Sequence, residues 1–436
     1  MKMKNYGKLV PVILIFFMFL ATYKMISDAK EKEQEYNGYL ETAREMTGQG
    51  ILVDAFQNYE KAIAMYPSLA LYEETGAMIE DLGSYKQRIS WGEQMVADYP
   101  DAGEGYEYLI SVYLEQERYA SCFEIYDVAK KKEAVTEEMQ EMMAQIEYKY
   151  EFDYYVYEDI GVFAGGYCAV CRDGKWGYVG EKATLKIRCK YREAGVFAGG
   201  LAYVRDAEDE LYFINTNDEK KLPVDNTLKP QIEGILNEGL YPVMVEEEYY
   251  YCNEAGETVL GPFMQAASFN LGKAAVLTKD GWTFIDTAGN ILTQNTYMNV
   301  MLDKKGIAFR NGRAFVETEE GIRMIDENFL PVGEDIYEAA VPFYEAAYAA
   351  VKTDGRWGFI DSMGNMVIPC SYEAADSFAN GYAAVCVEEK WGYINVLGET
   401  AIEPVFAAAA PFTAKGCAFV RRGEEWVALR LIKDNW

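Results

Sequence analysis

The feature that most constrains this chain is a recurrence. Trp176 (GKWGYVG), Trp357 (GRWGFID) and Trp391 (EKWGYIN) sit in one sequence frame, and Trp282 (DGWTFID) and Trp426 (EEWVALR) share it in weaker form. Aligning the flanks places Leu211 (ELYFIN), Tyr249 (EYYYCN) and Ile322 (GIRMID) in the same slot, at intervals of 33 to 40 residues. A second signature precedes the slot by ten residues or slightly more: FAGGYCAV (163–170), FAGGLAYV (197–204), FNLGKAAV (269–276), FANGYAAV (378–385) and FTAKGCAFV (412–420). Two motifs recurring in register define eight units. Such units bury their apolar faces by stacking on one another.

The unit around Trp357 shows what each copy does. Tyr348 to Val351 reads as a strand, Asp354-Gly355 turns the chain, and Arg356 to Asp361 returns antiparallel; Asp-Gly between apolar runs is a strong hairpin signal. DSMG then turns again, with Asp361 bonding its own backbone and Gly364 tolerating positive φ, as at Asp286/Gly289, Asn253/Gly256 and Asn395/Gly398. MVIP supplies a third strand whose proline belongs at a strand end or edge. SYEAADSF is the connection to the next unit, and EPVFAAAAPF (403–412) occupies the same register, so its alanines do not read as a helix.

Trp357 and Phe359 lie on one strand face, Gly358 and Ile360 on the other. The Trp fills space against the adjoining unit and the glycine permits close approach. Because leucine, tyrosine and isoleucine also fill the slot, Trp176, Gly177, Trp282, Trp357, Gly358, Trp391, Gly392 and Trp426 are assigned as structural repeat-signature residues, with no catalytic, cofactor or metal role.

The segments G[KR]WG[YF][IV] at Gly174–Val179 and Gly355–Ile360, KWGYI at Lys390–Ile394 and the upstream F-x-x-G-x-A-x-V resemble the WG-containing (KWG-type) β-repeats of bacterial proteins. The resemblance implies a β-rich repeat domain, often surface- or interaction-associated, and brings no catalytic residues. Eight units of three or four short strands are expected to close as a β-propeller, with an open β-solenoid as the alternative.

Upstream, residues 31 to 148 carry helical periodicity. AFQNYEKAIAMYPS and SYKQRISWGEQMVADYP each end at a proline, 33 residues apart, and Tyr39, Tyr72 and Tyr106 recur at intervals of 33 and 34. Ala43, Ala55, Tyr59, Ala62 and Pro67 resemble the tetratricopeptide pattern, which implies paired helices and a surface that binds peptides or partner proteins. Arg88 and Gly92 depart from that pattern in the second unit, and the third lacks the closing proline. A helical stalk is the alternative reading of this region.

The first thirty residues place Lys2, Lys4 and Lys8 before an apolar run from Leu9 to Tyr23 that Lys24 closes. This reads as a membrane anchor over residues 9–26 with the N-terminus inside and the bulk extracytoplasmic. A cleaved signal peptide is the alternative, since Ser27 and Ala29 make a small-x-small site. The expected organisation is therefore α plus β in three parts: anchor or signal sequence (1–30), tetratricopeptide-like helices (31–148) and the WG-type β-repeat domain (149–436).

Composition narrows the function. With 41 basic against 70 acidic residues the net charge is −29, which argues against a nucleic-acid partner. There is no histidine, so Ser-His-Asp and Cys-His nucleophilic sites and His-ligated zinc are excluded. Cys168 and Cys171 have C-x-x-C spacing, but positions three apart on a strand face opposite ways, and they read as buried thiols. The leading expectation is a non-enzymatic scaffold with an unidentified protein partner. A cell-wall glycan is the alternative ligand, motivated by the 35 tyrosines. A carboxylate-dependent hydrolase comes third: the acidic runs 206–210 and 246–251 read as solvated loops, and Asp286, Asp326 and Asp361 as turn residues.

Overall fold

The computed structural model describes residues 9–81, 84–227, 229–344 and 348–434. The chain divides into two compact units, Met1–Glu147 and Tyr148–Trp436.

The first unit is helical: α1 (Leu9–Gly48), α2 (Leu52–Met65), α3 (Leu69–Asp81), α4 (Tyr85–Asp98), α5 (Glu104–Glu115), α6 (Tyr119–Lys131) and α7 (Glu137–Ala144). Helices α2 and α4 stop at Tyr66-Pro67 and Tyr99-Pro100, because a following proline disfavours the helical region for the residue before it. Ser84 and Thr136 cap α4 and α7 by accepting from Gln87 N and Met139 N. Each helix packs on its sequence neighbour. Small residues at the crossings (Ala43, Ala55, Ala62) let Tyr59, Tyr72 and Trp91 fill the first core, and Tyr106, Leu109, Ile110 and Cys122 fill the second.

Helix α1 runs without a break through residue 30, because Ser27–Tyr36 holds no glycine or proline and is rich in helix formers. Among the described residues no helix is long and apolar enough to cross a membrane. The apolar run expected over residues 9–26 is interrupted by Lys24, and Lys2, Lys4 and Lys8 lie outside the described residues.

The second unit is an eight-bladed β-propeller. Its sheets span 159–191, 193–223, 231–263, 265–285, 299–326, 339–372, 374–406 and 408–431, here blades 1 to 8. The ring closes in blade 8, where the strand Tyr150–Tyr157 from the start of the unit pairs antiparallel with the final strand Glu425–Leu431. That pairing decides for a propeller against an open solenoid. The eight remaining core clusters each join two consecutive blades, blade 8 to blade 1 included.

Blade 6 shows the pattern. A two-residue first strand (Ala339–Ala340) is followed by Ala349–Thr353, Arg356–Ile360 and Met366–Tyr372, all antiparallel. The segment expected as a plain connection, SYEAADSF, therefore holds the end of the fourth strand and the first strand of blade 7 (Ala374–Ala375). Blades 4 and 5 keep three strands, and their fourth segments touch through isolated bridges at Trp282–Tyr297, Ile285–Ile291, Ile322–Tyr337 and Ile325–Pro331.

The Phe of the upstream signature sits between the first and second strands and packs back into the preceding blade. Phe378 meets Phe359 at 4.9 Å and Tyr348 at 5.4 Å, and Phe412 meets Tyr393 at 4.6 Å. Phe309 and Phe343 play the same part in blades 5 and 6 against Phe284 and Phe315. The buried hydroxyls of Tyr178, Tyr251 and Tyr393 donate to the carbonyls of Gly195, Ala267 and Ala410 in the next blade. One aromatic thus packs a seam and pins it.

Candidate functional site

The signature residues are distributed around the ring, in the third strands of their blades. Trp282 is buried, and Trp176, Trp357, Trp391 and Trp426 are half-buried. Each lies opposite an aromatic residue of the neighbouring fourth strand: Tyr297, Tyr191, Tyr372, Phe406 and Tyr157 respectively. The glycines after three of the tryptophans face main chain. A Cβ on Gly177, Gly358 or Gly392 would lie 2.5, 2.6 or 2.4 Å from the carbonyl oxygen of Ile187, Ile368 or Ile402. In these three blades the fourth strand bulges at that point, with Trp357 opposite Tyr372 but Phe359 opposite Ile368. The structure brings none of these residues together with one another, except that Trp426 reaches a cavity built by others.

That cavity, of about 850 Å³, is lined by loops of blades 1, 5, 6, 7 and 8. One wall is apolar and includes Phe163, Phe412 and Phe419; Phe163 stacks on Phe419 at 5.7 Å. Opposite stand Lys304, Lys305, Arg310 and Tyr344. Tyr344 belongs to blade 6, whereas Lys304, Lys305 and Arg310 come from blade 5, which is enlarged. Blade 5 inserts LDKKGI (302–307) between its first strand, Asn299–Val300, and Phe309, whereas blade 7 needs only two residues between Ala375 and Phe378.

The insertion is fixed by hydrogen bonds rather than by apolar packing. Asp303 is buried; its Oδ1 accepts from Lys305 N and Ile307 N, and its Oδ2 accepts from Nε and Nη2 of Arg310 at 2.8 and 2.7 Å. Ser268 of blade 4 ties it from one side, donating through Oγ to the Lys305 carbonyl at 3.0 Å and through N to the Gly306 carbonyl at 2.7 Å. On the other side Lys304 Nζ reaches Asp376 Oδ2 of blade 7 at 2.8 Å. Asp376 Oδ1 accepts from Tyr344 OH at 2.7 Å and from Ser377 N. Burial, with the Asp376 carboxylate beside it, pushes the Tyr344 phenol far above its ordinary range, so Tyr344 stays a neutral donor.

Sequence reasoning did not single out Asp303, Lys304, Lys305, Arg310, Tyr344 or Asp376. A signal was present: the interval from Trp282 to Ile322, 40 residues, is the longest between slots, and it contains the insertion.

The other candidates resolve locally. Asp286, Asp326 and Asp361 each accept backbone N–H groups two and four residues on, and hydrogen bonds from Asn290 hold the Asp286 carboxyl below its usual range. Asp206 does the same within 206–210. Among the described residues no group of Cys, Asp and Glu side chains has metal-holding geometry, and the eight cysteines are free thiols. Burial raises the pKa of all eight, to about 11 for Cys171 and about 12 for Cys417. Many tyrosines, including Tyr178, Tyr241, Tyr251 and Tyr393, are fully buried and offer no stacking face, while Tyr154 stands 90% exposed.

The family model described as the WG containing repeat matches residues 155–176, 176–206, 357–391 and 391–426. None of the curated proteins matches the chain. Among solved structures, Hsv2p of Kluyveromyces lactis is similar at 9% identity, covering 62% of this chain and 91% of its own, with a TM-score of 0.37. A eukaryotic initiation factor is similar at 10% identity, 65% and 88% coverage and a TM-score of 0.41. YCF48 bound to a D1 peptide is similar at 11% identity, 64% and 96% coverage and a TM-score of 0.32. The segments that match the WG containing repeat therefore lie on both sides of the seam at which the propeller closes.

Proposed function

We propose that this protein is a non-enzymatic interaction scaffold whose propeller receives a partner at the loop face that opens on the cavity. The observation that carries this reading is the contrast between the two residues that separate the first strand from the packing phenylalanine in blades 1, 2, 4, 6, 7 and 8 and the insertion at that place in blade 5, which is tied to blades 4 and 7 and walls a cavity in the size range of ligand sites. The helical unit, with its tetratricopeptide-like small-residue crossings, supplies a second surface for protein contact.

The reading includes an N-terminal anchor that leaves both units extracytoplasmic. Phe17, Met18, Phe19, Leu20, Tyr23, Met25 and Ile26 are all exposed along α1. Consecutive exposed apolar residues face every side of a helix, which suits lipid better than one protein groove. The experiment is capture from cell membranes solubilised in a neutral detergent, with the full chain and with Ala414→Trp, which fills the cavity from an exposed wall position. The chain is expected to stay with carbonate-washed membranes and to recover a partner that the variant recovers at least fivefold less. Equal recovery by the two baits, or no specific partner, would overturn the reading.

A further inference from the structure

We infer that the cavity binds an anionic group, a carboxylate or a phosphate ester, carried on an apolar body. The inference rests on the reading of this cavity as the binding face and names the chemistry that it takes.

Charge is the first argument. Over the whole chain acidic residues outnumber basic ones, 70 to 41. Among the described residues that line the cavity the order reverses: Lys304, Lys305 and Arg310 face one carboxylate, Glu181. Counted with Asp303 and Asp376 behind the wall, three cations meet three carboxylates, so the site is balanced where the whole chain carries −29, and the charged groups turned to the opening are mostly cations.

The placement of the counter-charges is the second. Asp303 and Asp376, the partners of Arg310 and Lys304, are buried behind the wall and do not line the cavity. Both oxygens of each carboxylate are already occupied by donors, Asp303 by two backbone N–H groups and the Arg310 guanidinium, Asp376 by Tyr344 OH, Ser377 N and Lys304 Nζ. Their work is positional: they hold the cations at the wall. The Lys304 side chain remains 49% exposed while paired. An ammonium has three donors, so one oxygen of Asp376 does not exhaust it.

The apolar wall supplies the third argument. Val162, Phe163 and Pro411, backed by the buried Phe412 and Phe419, cover the side away from the cations. A free inorganic ion would leave that wall wet. A ligand with an anionic head and an apolar body uses both sides. Gly165, Gly166 and Gly381 also line the cavity, all at positive φ.

The test uses the full chain in a neutral maltoside detergent and four probes: phenyl phosphate, phenylacetate, the neutral phenylacetamide, and inorganic phosphate. Binding is followed by the fluorescence of the tryptophans, of which Trp426 lines the cavity, and by saturation-transfer NMR. Phenyl phosphate or phenylacetate is expected to bind at least tenfold more tightly than phenylacetamide, and whichever anion is preferred identifies the source. Inorganic phosphate is expected to bind more weakly than phenyl phosphate. Lys304→Gln is expected to weaken the preferred anion at least fivefold while leaving phenylacetamide unchanged. Asp376 keeps Tyr344 OH and Ser377 N as donors in that variant, and its circular dichroism is compared with that of the parent before binding is scored. Ala414→Glu, at an exposed wall position, is expected to act in the same direction by adding a negative charge. Equal binding of neutral and anionic probes, no anion binding at millimolar concentration, or indifference to both variants would overturn the inference. Partner capture is scored separately, so a protein that captures a partner without discriminating these probes refutes the anion chemistry and keeps the scaffold.

Discussion

Gly358 explains why a tryptophan is followed by glycine in these strands. A side chain there would stand 2.6 Å from the Ile368 carbonyl oxygen and 2.7 Å from Cys370 N, against main chain that cannot swing aside. The fourth strand needs that space because it bulges past Gly358 before pairing with Trp357 through Tyr372. Where the glycine is replaced, the neighbouring segment changes with it. Thr283 and Arg323 face fourth segments that have lost strand pairing except at isolated bridges. Opposite Tyr250 the glycine has moved across the ladder to Gly261, whose own Cβ would lie 2.8 Å from the Tyr249 carbonyl. Blades 2 and 8, which carry Tyr212 and Val427 in the glycine position, pair it directly with Pro223 and Val156 and have no bulge at that point. Gly358→Ala is therefore expected to destabilise the propeller by about 2 kcal/mol, in the range of overpacking a tight site. Trp357→Leu is expected to cost about 1–3 kcal/mol through the volume it empties, since Leu211 occupies the same slot in blade 2. Met363→Ala, exposed on the adjoining turn, should move stability by less than about 0.5 kcal/mol. Urea unfolding followed by tryptophan fluorescence measures all three, and a midpoint for Gly358→Ala equal to that of Met363→Ala would sink the close-approach argument.

Arg88 stands in helix α4 where the first helical pair carries the small residue Ala55, and its surroundings say what the difference does. The side chain is 7% exposed and makes two parallel bonds to Glu115 of α5, at 2.6 and 2.7 Å. Hydrogen bonding to Arg88 holds the Glu115 carboxyl below its usual range. The small residue of a standard helix crossing is replaced here by a buried guanidinium clamped from the next helix. Glu115→Gln leaves that guanidinium without its counter-charge. Because Glu115 is itself half-exposed and screened, the expected cost is about 2 kcal/mol rather than the 3–5 of a fully buried pair. By the sign of the shift, the contribution of the pair is present above the unfolded carboxyl pKa, about 4.3, and is lost as pH falls below it. The check is the urea midpoint of the helical unit by circular dichroism at about pH 7 and pH 4; a variant equal to the parent at the higher pH would refute the clamp. Elements of this kind mark where sequence reading succeeds and where it stops. Period-two alternation, Asp-Gly turns and the Trp slot made eight β-units legible, since each depends on residues close in sequence. The partner of Arg88 lies 27 residues away, and Asp376 lies 72 from Lys304. No local pattern announces such pairs. The cavity was legible only as an excess of spacing, the 40 residues between Trp282 and Ile322, because the side chains that form it come from five blades.

The closed ring ties the stability of one blade to the next through buried hydroxyls and thiols at the seams. Tyr178, Tyr251 and Tyr393 donate across blade boundaries, and burial pushes their phenols well above the ordinary range. Cys168 of blade 1 and Cys417 of blade 8 share the closing core, and burial raises both thiols, Cys417 to about 12. For every one of these groups the folded pKa exceeds the unfolded one. Their contribution is therefore fully present below the unfolded values, about 8.5 for cysteine and about 10 for tyrosine, and is lost as pH rises toward the folded values. With a formal charge of −29 already present at pH 7, further ionisation adds self-repulsion in the same direction. The propeller is expected to hold a nearly constant midpoint from about pH 7 to 8.5 and to lose stability progressively between about pH 9 and 12. Tyrosinate absorbance separates the two causes. If the seams control the loss, one part of the tyrosinate absorbance appears reversibly with the near-ultraviolet circular dichroism intact, and a second, larger part appears only together with its loss. A single smooth titration of all tyrosines near pH 10, with the propeller signal intact, would show that the buried hydroxyls do not hold the seams.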